Sequence, residues 1–381
     1  MLKPQDLESL ITLRHELHSR PEVSGNESET RDRIKVWLQR ILPEVAIAEA
    51  GRGLFAICKG SDPGPVTLIR AELDALPIEE VNEIPYKSQR LGVSHKCGHD
   101  GHMTMVAGLA HLLRDHPPEK GSVVLLFQSA EETGEGAQWM LNTPAFQEIK
   151  PDYAFSLHNL PGLPMHQITC KTGTFCAAST GIKIRLYGKT AHASSPETGL
   201  SPAIGIAQLT TVLNSLVGAS DFVDFTLLTI THVQLGEPTF GISPGVGELR
   251  VTIRAYQDAD LDKLKVLIES RVKEVAKAES LTFDLTYHEP FAATVNHEEA
   301  VEMIQQVAEQ SDLRFNPMEL PNPWSEDFGL FLQQSKGAMF GLGSGVDQPA
   351  LHNPDYDFPD ELIETGVAMF WGLLRKLNYQ G

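Results

Sequence analysis

Hydrophobic positions along the chain follow two different periods. Leu7, Leu10, Ile11 and Leu17 recur at helical spacing, and a second amphipathic run over 29–41 carries Ile34, Trp37, Leu38 and Ile41. Short, nearly continuous apolar segments come next, at 65–69, 123–127, 153–157 and 338–342, separated by helical stretches such as 103–113. Runs of this length, each followed by a loop, predict buried strands of a mostly parallel sheet flanked by helices. From about residue 179 the pattern changes. Ile182, Ile184 and Leu186 alternate with polar neighbours, 203–217 is an apolar helical stretch, and 225–233 and 248–256 are strand-like. An amphipathic helix over 261–278 then leads into a second alternating run at 281–287. The order β-α-β-β-α-β is the split ferredoxin-like unit. The expected fold is α/β, with residues 1–178 and 290–381 forming one domain and 179–289 a second domain inserted into it.

Composition narrows the possibilities. The 381 residues are 41% hydrophobic, enough for a sizeable core. A formal net charge of −19 argues against non-specific binding to nucleic acid or to an anionic membrane, since both are polyanions. No apolar run reaches the roughly 20 residues of a spanning helix. The opening segment mixes charges into its amphipathic pattern, unlike a signal peptide. Four cysteines (Cys58, Cys97, Cys170 and Cys176) are too few for a disulfide scaffold. The expectation is a cytoplasmic protein with no nucleic-acid or membrane partner.

Candidate chemistry gathers where the predicted strands end. Residue 69 leads into RAELDALP, residue 127 into QSAEETG, residue 157 into His158 and Asn159, and residue 342 into Gly343, with His352 shortly after. Between the first two lies CGHDGH (97–102), opening the helix at 103–113. Function collects beyond the carboxyl ends of parallel strands, and Cys, His and Glu at one sheet edge are what a divalent metal site requires. Singly, each signal is weak. A lone His is more often a surface or core residue, a Glu-Glu pair is usually solvated, and Cys-x-His also suits a buried thiol beside a capping His. Together, Cys97, His99, Glu132, His158 and His352 offer five ligands. With one of them bridging and a shared water added, they complete two four-coordinate ions. Such a pair acidifies the water and polarises a carbonyl, and Glu131 beside Glu132 is then available as general base.

The set RAELDALP, CGHDGH, SAEETGEGA, LHNLPG, GKTAHASSP, SEDF and LHNPDYDFPDE resembles the dinuclear-metal aminoacylase/carboxypeptidase metallopeptidase family. Within it the chain is similar to the amidohydrolase branch of hippurate hydrolases, N-acyl-amino-acid amidohydrolases and auxin-conjugate hydrolases, whose marker is Cys-x-His in place of a bridging Asp. The resemblance spans nearly the whole chain. It implies a zinc-exopeptidase-like catalytic domain with an inserted lid or dimerisation domain. It also implies two divalent ions on Cys97, His99, Glu132, His158 and His352, with Cys97 bridging, and manganese or zinc favoured over cobalt or nickel. Glu131 matches the general base, and Asp74 an acidic residue that supports a ligand His. His192 matches a histidine that reaches the substrate carbonyl, in some relatives from the partner subunit. Arg254, in Thr252-Ile253-Arg254, is a candidate for gripping the substrate's free carboxylate; a strand Arg in a surface ion pair is the alternative. An Asn that family members carry upstream of that strand is replaced here by Gly241.

Asn159 and Gly343 are expected to face the substrate, Gly343 within a glycine run that admits backbone close to it. Asp100 and His102 read as supports of the ligands or of the helix start. His15, His18, His95, His111 and His116 read as surface or locally bonded residues, and Cys170 and Cys176 as buried thiols. The implied reaction is hydrolysis of the amide of a small-molecule N-acyl amino acid. Alternatives are a dipeptidase or carboxypeptidase on the same site, a cysteine hydrolase using Cys97 with His99, and a non-catalytic metal-stabilised binding protein. A homodimer through the inserted domain is compatible with the resemblance, as is a monomer.

Overall fold

The computed structural model describes residues 2–217 and 222–379. They divide into two compact units: Met1–Phe175 with Thr294–Pro321 and Asp327–Gly381, and Cys176–Ala293 with Asn322–Glu326.

The first unit opens with α1 (Pro4–Ser19), which has Pro at its first position, where a missing N–H leaves no bond unmade. Helix α2 (Ser28–Ile41) buries Ile34, Trp37, Leu38 and Ile41, the stripe set by its periodicity. Strands β1 (Ala46–Ala50), β2 (Gly53–Lys59) and β3 (Asp62–Glu72) follow, then α3 (His99–Asp115), β4 (Lys120–Gln128) and β5 (Tyr153–Leu160). The eight-stranded sheet runs β1-β2-β4-β3-β5, then Lys336–Gly343, Ile168–Cys170 and Phe315–Pro317. Its centre is parallel, with Glu72 opposite Gln128, Ile69 opposite Phe155 and Gly343 opposite Leu160. Residues 123–127 are wholly buried, as a parallel strand covered on both faces requires. Helix α3 is buried along residues 99–113 and packs against α1 and the C-terminal helix Leu362–Asn378. The α/β expectation of a large sheet flanked by helices holds.

Because the four central strands run the same way, their carboxyl ends share one sheet edge. Two boundaries differ from the expected ones in ways that matter there. Strand β5 continues through His158 and Asn159, so these are strand residues held by the ladder to Gly341 and Leu342. Helix α3 begins at His99, which puts His99 and His102 on neighbouring helical turns.

The second unit is a four-stranded antiparallel sheet in the order Thr226–Leu235, Val246–Ala255, Ala178–Tyr187, Thr282–Phe291. Helices Ala203–Asn214 and Asp258–Ala278 cover one face, where Ile182, Ile184, Leu186, Val251 and Ile253 pack with Leu264, Ile268 and Val272. The β-α-β-β-α-β order is as the sequence predicts. The opposite face alternates to polar side chains, including Lys183, Arg185 and Arg250. A short ladder pairs Ala191 and His192 with Ser243 and Ile242. Among the described residues, no helix is long and apolar enough to cross a membrane.

Candidate metal centre

Cys97, His99, Glu132, His158 and His352 converge in the first unit. Cys97 Sγ is 3.4 Å from His158 Nε2, and His99 Nε2 is 3.9 Å from Glu132 Oε1. His352 Nε2 is 3.6 Å from that same oxygen. Two sets of donor atoms each fall within 4.8 Å of one another: Cys97, His99 and His158, and Cys97, Glu132 and His352. Cys97 is common to both. Glu131 Oε2 stands 3.9 Å from His99 Nε2.

Strand β5 carries His158, and three turns of unusual backbone present the other groups. Gly98 is left-handed at φ +90°, and a Cβ there would lie 2.7 Å from the Asn159 side chain, so only glycine fits between Cys97 and His99. Ala130, just before the two glutamates, and His352 also sit at positive φ, +53° and +66°. Such strain persists only where the surroundings enforce it. Glu27 accepts the Ala130 amide at 2.7 Å and the Gly25 amide at 2.8 Å. Asp74 accepts the Glu132 amide (2.9 Å) and the Ser24 hydroxyl (2.7 Å), while its carbonyl accepts His99 Nδ1 at 2.8 Å. His158 Nδ1 donates to the Asn159 carbonyl at 2.9 Å. Both imidazoles therefore have Nδ1 occupied and offer Nε2 to the cluster.

The electrostatics have one cause in common. Burial alone would lower the basicity of His99, yet its bond to Asp74 and the nearby Glu72 and Glu132 raise its pKa to about 10. Burial, Glu132 and Glu131 push the Cys97 thiol well above its ordinary range. His158 is held neutral by burial beside His102 and His99. The negative potential of these carboxylates adds to burial at Cys97 and outweighs it at His99. A bound divalent cation would answer that potential, favouring the Cys97 thiolate and a neutral His99. His99 Nε2 and Glu132 Oε1 are buried without a hydrogen-bond partner among the described residues. Unpaired buried donors and acceptors are costly unless something binds them. The donor set fits divalent metal.

A sequence profile of peptidase family M20/M25/M40 matches residues 68–376. The chain belongs to this family. Over 371 residues it is 30% identical to an N-acetyl-L-cysteine deacetylase of Bacillus subtilis, covering 97% of this chain and 88% of the relative. Over 369 residues it is 29% identical to a hippurate hydrolase of Campylobacter jejuni, covering 96% and 95%. The crystal structure of the Bacillus subtilis YXEP protein, described as a dinuclear metal binding peptidase of the M20 family, superposes with a TM-score of 0.82 at 25% identity, covering 98% of each chain. The protein is thus a metal-dependent M20 hydrolase of the amidohydrolase branch, acting on amide bonds.

The other candidates lie outside these two donor sets. Asn159 is fully buried, its oxygen 2.5 Å from His102 Nε2 and its amide donating to the Tyr356 hydroxyl at 2.5 Å. Its polar atoms are thus engaged within the protein. Gly343 is buried at the strand end, where a Cβ would meet the Pro164 carbonyl at 2.1 Å. His192 and Arg254 belong to the second unit. His192 is exposed, and its Nδ1 accepts the Ser194 amide at 3.1 Å, which puts the ring proton on Nε2. Arg254 is part-buried and donates to Ser325 Oγ at 2.9 Å and the Pro323 carbonyl at 3.3 Å. No carboxylate pairs with it among the described residues, and burial lowers its pKa. Gly241 is exposed, with nothing within 4 Å of a Cβ.

Four histidine readings need correction. His15 Nε2 meets Asp360 Oδ2 at 2.8 Å across 345 positions, and His111 is buried with Nδ1 3.2 Å from Asp6. His18 is completely buried between Asp100 (2.8 Å) and Glu80 (3.0 Å), a convergence of residues 62 and 82 positions apart. His95 is buried with neither nitrogen bonded among the described residues, and burial takes its pKa down to about 3. Pattern reading also passed over Arg14, Glu27, Glu72, Glu80, Lys96 and Asp327. Arg70 pairs with Glu72 and with Asp327 (2.6 Å), and Glu72 meets His102 Nδ1 at 2.7 Å, a buried frame beneath the centre. The available signal was a charge inside an otherwise apolar stripe, as at Arg14 between Leu10, Leu13 and Leu17.

Proposed function

We propose that the protein hydrolyses the amide bond of N-acyl amino acids, releasing a carboxylate and a free amino acid. The observation that carries this is the pair of donor sets sharing Cys97, with Glu131 beside them and in neither. Cys97, His99 and His158 would hold one divalent ion, and Cys97, Glu132 and His352 a second. The mixture of thiolate, imidazole and carboxylate suits zinc and admits manganese, cobalt or nickel. When bound, such ions supply Lewis-acid activation of water and of the scissile carbonyl. Glu131 takes the proton from the attacking water and passes it to the leaving nitrogen, so the C–O bond forms, the C–N bond breaks and the amine departs protonated. Asp74 keeps His99 turned with Nε2 toward the ions. The Nε2–H of His192 is a donor for the oxyanion, and Arg254, lacking a carboxylate of its own, is a fork for the free carboxylate of the substrate. The names of the deacetylase and hippurate hydrolase relatives support the substrate class.

The chain is further read as a cytoplasmic homodimer through the second unit. Four free, buried cysteines support the compartment. Strand Thr226–Leu235 supports the dimer: it is a sheet edge that exposes Leu227, Val233 and Leu235, with Phe240 and Ile242 exposed nearby.

The test is release of amino acid from N-acetyl, N-benzoyl and longer N-acyl amino acids and from dipeptides, using chelator-stripped protein with and without Zn²⁺ or Mn²⁺. Metal-restored cleavage of the N-acyl substrates is expected. Preference for dipeptides overturns the substrate class and keeps the site.

A further inference from the structure

His352 differs from the other donors. Its side chain is half exposed, it sits at positive φ on an irregular segment, and no strand or helix carries it, whereas Cys97, His99 and His158 are buried. Packing alone does not fix such a residue. Two fully buried cations grip the segment that follows it. Lys96 Nζ donates to the Tyr356 carbonyl at 2.7 Å and pairs with Glu80 at 2.7 Å, while the Lys96 carbonyl accepts the His352 amide at 2.8 Å. Arg14, on α1, donates to Asp360 at 2.9 Å and to Asp357, and its Nε reaches Asp100 at 3.0 Å. Asp100 directly follows His99. Tyr86 lies under the guanidinium at 4.6 Å and donates to Asp357 at 2.7 Å.

Burying two cations is a poor way to stabilise a fold, since apolar replacements of such networks are often as stable. A planar fork with several donors does supply fixed geometry between separate chain segments. Arg14 bonds both the start of the helix carrying His99 and the segment carrying His352, and Lys96 ties that segment to the backbone beside Cys97. Resting on the two-ion reading above, we infer that Arg14 and Lys96 are positioning residues that set the Cys97–Glu132–His352 position against the Cys97–His99–His158 position. Their loss loosens the first position and spares the second.

The experiment is equilibrium dialysis of Zn²⁺ into chelator-stripped full-length protein, with Co²⁺ absorption reporting the Cys97 thiolate. Wild type is expected to hold two ions per chain. Arg14→Lys keeps the charge but cannot reach three carboxylates, and Lys96→Met keeps the length without the charge. Each should retain one ion and the cobalt–thiolate band, while the second ion needs about 10–100-fold more metal. Excess metal should restore kcat with KM unchanged. Should either variant fail to fold, Asp360→Asn at the partly exposed end of the network should weaken the second ion in the same direction and by less. Variants that hold two ions at wild-type affinity, with only a lower Tm, overturn the inference alone. A wild type that holds one ion overturns the two-ion reading and the inference with it.

Discussion

The strand-end cluster of the first unit and the candidate residues of the second, His192 and Arg254, carry their chemistry in opposite ways. In the first, the acids, the thiol and the imidazoles other than His352 are largely buried, and several are held by residues from distant parts of the chain, as Asp74 is by Ser24 and the Glu132 amide. In the second, His192 is exposed and Arg254 part-buried, and their bonds go to near neighbours and to neutral acceptors. A buried, cross-braced constellation is preorganised, and its members are hard to change without consequence for chemistry or folding. Exposed residues with few partners change at little structural cost, so they are where substrate choice is tuned. The contrast predicts that changes in the first unit act on turnover, metal or folding, and that changes in the second, apart from the oxyanion donor proposed at His192, act on KM.

The largest effect is expected at Glu131. Its carboxylate belongs with His99 and Glu132 but is not needed in either donor set that contains Cys97. Glu131→Ala should lower kcat by about 10²–10⁴-fold, the usual contribution of a general base. Metal content by atomic emission should stay at the wild-type value. Near-normal turnover would sink the role of Glu131, and loss of metal would make it a ligand instead.

Next in size is Arg254. Arg254→Met removes a charged donor without leaving an acid unpaired, because no carboxylate pairs with it in its own unit among the described residues. KM for an N-acyl amino acid should rise roughly 10–100-fold, the range for a lost hydrogen bond to a charged group. kcat and Tm should hardly move. If KM is unchanged as well, Arg254 is an ordinary strand residue, and the division of labour between the units is wrong.

The same contrast explains what could be read from sequence. The sheet was legible because its parallel strands are unbroken apolar runs, and the inserted unit because Ile182, Ile184 and Leu186 alternate against an amphipathic helix. The convergent donors were legible because each follows a strand end or opens a helix, positions that a parallel sheet necessarily gathers on one edge. The bracing was not. Arg14 and Asp100 are 86 residues apart and Arg14 and Asp360 346 apart, and no local period announces a pairing made by packing α1 beside α3. His158 and Asn159 were assigned to a loop because a polar pair ends the apolar run. In the fold they continue the ladder, since metal-site and hydrogen-bonding groups replace the apolar surroundings a strand usually needs.

A third test concerns folding. Glu27 is buried with one oxygen accepting two amides and the other without a partner among the described residues. Burial, together with Asp74, raises its pKa to about 7 from 4.5. A carboxyl that keeps its proton longer in the fold than in the unfolded chain makes stability fall as pH rises from 4.5 to about 7, and the loss is complete above that. Glu27→Gln still accepts both amides and has no proton to lose. In metal-free protein its stability should rise relative to wild type across this window, by about 1–3 kcal/mol at pH 8, read as a higher Tm. Parallel Tm curves for the two proteins from pH 5 to 8 would show that Glu27 is ionised in the fold throughout.

The smallest effect is expected at Gly241, where the family that the chain resembles often has an Asn. Nothing lies within 4 Å of a Cβ built there, and its φ lies outside the left-handed region, so Gly241→Asn introduces neither a clash nor strain. Replacing a glycine where the backbone tolerates it narrows the unfolded ensemble, so Tm should stay level or rise slightly. If this chain lacks the contact that the family Asn makes, restoring it adds one hydrogen bond to the substrate. KM should then fall by about two- to tenfold at unchanged kcat, the worth of a neutral bond. An unchanged KM would place that contact on another residue of this chain. A fall in kcat instead would mean that position 241, like the donor proposed at His192, bears on the reacting atoms and not only on the body of the substrate.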